Sequence, residues 1–279
     1  MNQQTVGGPA DTEADRALKA KHRALWALGN YPAVAADVVA PLGPLLVDAA
    51  GVTKGDRVLD TGAGTGNAAI PAALTGAEVV ATDLTPELLA TGERFAAEHG
   101  VRLTWQEADV EALPFADADF DVVLSCIGAM FAPHHRRTAD ELLRVCRPGG
   151  RIAMINWTPE GFIGQLFATM KPYAPPPPPG AEPPPRWGDE DHLRELFGDR
   201  VRGLTVHRQE LVVDHFPDGA AFRDYFKLNY GPTIVTYRAI AEDPDRVAAL
   251  DQALVDLVDR YQSAGSMPWE YLVVLAEKV

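Results

Sequence analysis

Cysteine is scarce in this chain: Cys126 and Cys146 are the only two in 279 residues. Two cannot build a disulfide framework, and nothing pairs them at metal-ligand spacing. Cys126 ends an apolar run, and Cys146 sits on a helical pattern just before Arg147-Pro148. Both read as reduced interior residues, which points to a cytoplasmic protein. Positive charge is short as well, with 25 Lys and Arg against 39 Asp and Glu, for a formal net charge of -14. That balance repels phosphate and anionic lipid, so nucleic acid is not an expected partner. Long apolar runs are also missing. The most apolar early stretch, 38–50, is broken by Pro41 and Pro44 and carries Asp48, so membrane insertion is not expected. The polar start, 1–15, lacks the basic-then-apolar pattern of a secretion signal, and Gly7, Gly8 and Pro9 suggest a frayed leader.

What is present is ordinary for a globular protein, 47% hydrophobic and 23% charged, in a length that suits one domain with a modest insertion. Helical patterning runs with interruptions from Ala14 to Ala50, where Gly51 is a plausible stop. Strands are then expected at 56–60, 78–83, 101–106, 120–126 and 151–156, with helices between them. The helix over 65–74 carries Pro71 as an expected kink. Thr85 is expected to cap the next helix, with Pro86 in its first position. A helix over 135–146 leads to a turn at Pro148-Gly149-Gly150. Strands alternating with helices imply an α/β fold with a doubly wound, mostly parallel sheet.

The regularity fails after Trp157. Pro172, Pro175 to Pro179 and Pro183 to Pro185 form neither helix nor central strand. That stretch reads as a stiff connector or cap, and is equally compatible with a homodimer contact. Asp189 is placed to cap a helix through Leu196. Strands over 204–213 and 271–276 bring the sheet to seven, with helices at 220–230 and 243–262. The expected organisation is an N-terminal helical lid over 1–50 and a main domain over 51–279. Helical and proline-rich insertions within about 158–265 would form a cap over the substrate.

The first strand runs directly into Asp60-Thr61-Gly62-Ala63-Gly64-Thr65-Gly66-Asn67. Glycines there let backbone approach a ligand, at the usual crevice beyond the carboxyl ends of parallel strands. A dinucleotide fingerprint, G-x-G-x-x-G, would need its last glycine where Asn67 stands. Asp60 would also oppose a pyrophosphate, whereas a ligand with an amino group and a sulfonium gains from it.

With these residues the sequence resembles the class I S-adenosylmethionine-dependent methyltransferases, particularly the small-molecule group related to the ubiquinone/menaquinone C-methyltransferases. The resemblance covers roughly Val58 to Trp157 and implies a Rossmann-like fold with S-adenosyl-L-methionine as cofactor. By that likeness Thr61, Gly62, Ala63 and Gly64 cradle the methionine moiety and Asp60 orients its amino group. Asp83, ending the second strand, matches the acid that accepts two ribose hydroxyls, and Leu84 packs on adenine. Asp109 and Val110 fall where the adenine amino group is read, and the backbone of Ser125 and Ile127 lies near the methionine. Trp26 and Tyr31 belong to a leading helix that closes over the cofactor in related proteins.

Methyl transfer from a sulfonium requires alignment, exclusion of water and, for some acceptors, a base. Just past the fourth strand come Met130 and Phe131, an apolar floor, then His134 and His135, the candidate bases. No third ligand is spaced with these histidines, so no metal is expected. Trp157, Tyr173, Trp187 and Tyr230 are candidate walls of the acceptor pocket. The pattern favours a small acceptor, aromatic or lipophilic. Two rivals stay open at this point, a protein or peptide methyltransferase and a non-catalytic S-adenosylmethionine-binding interaction protein. Ser125-Cys126-Ile127-Gly128 stands where amino-directed DNA enzymes carry Asp/Asn-Pro-Pro-aromatic, which argues against DNA as substrate.

Overall fold

The computed structural model describes residues 13–178 and 180–279. The leader read at Gly7, Gly8 and Pro9, and Pro179 of the proline run, lie outside the described residues. Three helices come first, α1 (Glu13–Trp26), α2 (Tyr31–Asp37) and α3 (Leu42–Ala49). The strand β1 (Arg57–Thr61) follows, then α4 (Ala69–Leu74), β2 (Glu78–Asp83), α5 (Pro86–Glu98), β3 (Thr104–Glu107), β4 (Phe120–Cys126), α6 (His135–Val145) and β5 (Cys146–Trp157). The remaining elements are α7 (Phe162–Met170), α8 (Glu190–Phe197), β6 (Val201–Val213), α9 (Gly219–Asn229), α10 (Gly231–Ala239), α11 (Pro244–Tyr261) and β7 (Met267–Lys278).

The seven strands form one sheet in the order β3-β2-β1-β4-β5-β7-β6. The first five pair in parallel, and β7 pairs antiparallel with both β5 and β6. Continuously apolar sequence explains the central position of β1 and β4: Val58, Leu59, Val122 and Leu124 are fully buried between helical layers. Each such aliphatic side chain contributes about 1.5–3 kcal/mol by leaving water. The chain builds β2 and β3 on one side of β1, then returns to build β4 on the other. That reversal opens a crevice beyond the carboxyl ends of β1 and β4.

Several local expectations are corrected. Pro71 does not kink a helix, because α4 starts only at Ala69 and Pro71 falls in its first turn, where no N–H is needed. Thr85 precedes α5 without a side-chain cap; Asp83 Oδ1 instead accepts the Thr85 N–H at 2.8 Å. Cys146 begins β5 and does not lie on α6. Phe120 pairs with Cys146 and Val122 with Arg151, so Arg147 to Gly150 form a bulge within one strand, eased by Gly149 at φ 72°. The third strand begins later than its apolar lead-in suggested, at Thr104. Asp189 does cap α8, accepting from the N–H groups of Asp191 and His192. No single helix among the described residues is long and apolar enough to cross a membrane.

Candidate active site

The loop leaving β1 takes left-handed backbone at Gly62 (φ 62°) and Gly64 (φ 54°), which glycine adopts without a Cβ penalty. It also touches the turn after β4: a Cβ on Gly62 would stand 2.8 Å from the backbone of Gly128. Ile127, a non-glycine at φ 71°, makes that second turn and stores strain beside the crevice. It is held there by its N–H on the Ile155 carbonyl at 2.9 Å, while Ser125 Oγ accepts the Ala129 N–H at 2.9 Å.

Three carboxylates line up along the crevice in different states. Both oxygens of Asp60 are buried with no hydrogen-bond partner. Burial is the main cause that pushes its pKa up to about 8, and the neighbouring Asp83 charge adds to it. Asp83 accepts the N–H of Gly64 at 2.8 Å and of Thr85 at 2.8 Å, and burial raises its pKa too. The Thr85 hydroxyl and the Leu84 N–H also act on it, and its carboxylate borders the cavity. Asp109 receives Lys19 Nζ at 3.0 Å and the Glu111 N–H at 3.0 Å. Lys19 also reaches Glu111 at 2.8 Å, tying α1 down over the crevice.

Between these groups lies a cavity of about 90 Å³, flanked by Asp83, Asp109, Leu84 and Val110 on one side and by Trp26, Tyr31 and Phe131 on another. A smaller adjoining space of about 20 Å³ meets Ala63, Asn67, Cys126 and Ile127. Tyr31 borders both. An unpartnered acid suits an ammonium group, and a half-satisfied one suits hydroxyls. Such a donor set fits a nucleoside joined to a cationic amino acid.

Residues 58–150 match the family described as methyltransferase domain. Two uncharacterized proteins of Mycobacterium tuberculosis are each 52% identical, one over 96% of this chain and 97% of its own length, the other over 98% and 99%. The demethylmenaquinone methyltransferase of Renibacterium salmoninarum is 37% identical over 114 residues, 41% of this chain and 46% of that one. The chain carries a class I S-adenosylmethionine-dependent methyltransferase domain. Its fold also matches geranyl diphosphate methyltransferase, solved in complex with S-adenosylmethionine, at a TM-score of 0.53 and 17% identity over 98% of this chain and 93% of that one.

Within this methyltransferase the expected cofactor residues converge. Trp26, Tyr31, Gly62, Gly64, Asp83, Leu84, Asp109 and Val110 face the larger cavity, and Ala63 and Ile127 the smaller. Asp60, Thr61 and Ser125 stand just behind, buried. The reacting end differs from expectation. Neither His134 nor His135 lines the cavity. His135 is fully buried with its ring against His192 and Trp187, and burial, reinforced by the His192 ring, pulls its pKa down to about 3. His134 donates its N–H to Glu111 at 2.7 Å, and its Nδ1 lies 3.6 Å from the same carboxylate.

Among the candidate acceptor walls, only Phe131 faces the cavity. Met130 is fully buried in the core, Trp157 packs edge-on to Trp269 and Tyr271, and Trp187 is sealed beside Phe197. Tyr173 lies beneath the Arg246 guanidinium, and Tyr230 backs Trp26 at 5.9 Å between ring centres. Folding supplies what spacing along the chain lacked, because Glu182 and His192 come within ligand reach of His135. Two residues escaped the sequence reading, Lys19 and His22, both facing the cavity. With Trp26 they share one face of α1 by helical spacing, a signal that was there to be read.

Proposed function

We propose that this methyltransferase carries S-adenosylmethionine with its amino group on Asp60, its ribose on Asp83 and its adenine against Leu84, Asp109 and Val110, and methylates a small lipophilic or aromatic acceptor. The observation carrying the first half is Asp60, a buried carboxylate whose oxygens make no hydrogen bond of normal geometry and on which only the Ala69 N–H acts. The observation supporting the second is the ring cluster beside the glycine loop. Trp26 stands edge-on to Tyr31 at 5.5 Å and to Phe131 at 4.7 Å, and Phe131 to Phe167 at 6.0 Å. Bound S-adenosylmethionine supplies an electrophilic methyl on a sulfonium. The protein's part is to hold an acceptor behind that methyl in a dry, ring-lined space.

His22 faces that space, and burial lowers its pKa, so its imidazole is neutral at pH 7 and able to take a proton. Burial raises the Tyr31 phenol and the Cys126 thiol, so both stay protonated at neutral pH. Tyr31 can donate a hydrogen bond, but it does not take a proton. Alignment of the acceptor supplies the acceleration, with His22 as the base at hand. In this reading helices α1 to α3 form the lid, and α7 to α11 with the proline-rich segment form the cap. The two free cysteines suit a reducing, cytoplasmic setting.

The test is a methyl-transfer assay offering polycyclic and prenylated phenols or quinols, a basic peptide and RNA in parallel. Turnover confined to the lipophilic phenols or quinols supports the reading. Preferential methylation of peptide would assign a macromolecular substrate, and cofactor binding without transfer to any acceptor would leave a binding protein.

A further inference from the structure

Three side chains from separate parts of the chain meet outside the cofactor crevice. His135 Nδ1 lies 2.9 Å from His192 Nε2, and Glu182 Oε2 lies 3.8 Å from the first and 3.9 Å from the second. His135 is fully buried, and His192 is nearly so. Two imidazoles at that separation cannot both carry a proton in the gap, so at least one lone pair faces it. As a purely hydrogen-bonded pair they are also incompletely satisfied, since His135 Nε2 is buried without a partner, while His192 Nδ1 faces Glu195 Oε2 at 3.7 Å. A point about 2.1 Å from all three facing atoms lies between them, the usual length of Zn–N and Zn–O bonds.

The geometry points to a divalent-metal site, suited to Zn²⁺, with His135, His192 and Glu182 as its protein ligands and a water in the fourth position. Two imidazoles with one carboxylate are a zinc donor set, and borderline-soft nitrogen ligands select against Mg²⁺ and Ca²⁺. Trp187, with its ring 5.4 Å from that of His135, closes the apolar side. Glu182 is partly exposed and leaves the water a path. The present occupant of that path is Arg186, 2.8 Å from Glu182 Oε2, whose side chain is nearly half exposed and competes with the ion.

The site joins three elements. His135 opens α6 immediately after the cavity residues Phe131, Ala132 and Pro133. Glu182 lies within the proline-rich segment, just before Pro183, where its N–H also bonds the Pro133 carbonyl at 2.9 Å, and His192 stands in α8. A metal there staples the cap to the wall of the cavity. The role is structural and independent of the acceptor's identity.

The test uses the untagged full chain, stripped with a chelator and titrated with Zn²⁺ against a chromophoric competitor. One equivalent should bind and raise the thermal midpoint. His192→Gln and Glu182→Gln should each lose stoichiometric binding, while His134→Ala should keep it. X-ray absorption of the zinc-loaded wild type guards against a variant that misfolds, and should give a nitrogen/oxygen shell near about 2.0–2.1 Å with imidazole scattering. Absence of an equivalent bound to the wild type, retention by both Gln variants, loss in His134→Ala, or a shell without imidazole would each overturn the assignment.

Discussion

Asp60 is sealed from water, with only the Ala69 N–H to offset its burial, which makes it a cost in the cofactor-free protein. Its folded pKa of about 8 stands above the ordinary carboxylate value, so its neutral form is the one the fold favours. Stability from that preference is full below the ordinary carboxylate pKa and is lost as pH rises toward about 8. Asp60→Asn should therefore stabilise the cofactor-free protein at pH 8 by roughly 1–3 kcal/mol, the cost of one unsatisfied buried group, and by less at pH 5. Thermal melts at the two pH values check this. Gly62→Ala should do the opposite, since its Cβ would meet Gly128 at 2.8 Å in a left-handed backbone. A loss of roughly 1–3 kcal/mol, with weakened cofactor binding, is expected from denaturant titration and calorimetry. Residues of this loop were legible because their role depends on spacing along the chain. His135 was not, because the direction of its ring depends on how α6 meets the 3₁₀ turn at Pro184–Gly188 and α8.

At the scale of elements, the alternation of strand and helix could be read because parallel strands are apolar on both faces. The errors fell where local pattern and pairing compete. The bulge at Arg147 to Gly150 looks like a turn in sequence, and only the partner strand makes it part of β5. The face of α1 has a mechanical consequence. Lys19, with its side chain only 11% exposed, binds Asp109 and Glu111 and so holds α1 over the cavity that Lys19, His22 and Trp26 line. Lifting of α1 is the expected route of cofactor entry. Lys19→Ala should raise both association and dissociation rates of S-adenosylhomocysteine several-fold, read by stopped-flow fluorescence of Trp26. Unchanged rates would mean that the cofactor enters by another route.

For the whole molecule, net charge and cavity chemistry point the same way. A chain at -14 whose reacting end is ring-lined gains nothing from electrostatic steering of a neutral lipophilic acceptor. Its kcat/KM should change little between low and physiological salt, whereas a basic peptide acceptor would be bound steeply less well. The glycine loop carried the cofactor, and the acidic net charge set the expectation against nucleic acid. The ring cluster as a whole lay beyond sequence, since Trp26, Phe131 and Phe167 come from separate parts of the chain brought together only by the fold, although Phe131 was already a candidate wall.

The most direct measurement is a calorimetric titration of the full chain with S-adenosylhomocysteine at pH 7, in buffers of different ionisation enthalpy, for the wild type and Asp60→Asn. Ionisation of Asp60 against the ligand's ammonium should release a proton in the wild type. The variant should bind at least about tenfold more weakly and lose most of that release. Equal affinity and equal proton release in the two proteins would contradict the account.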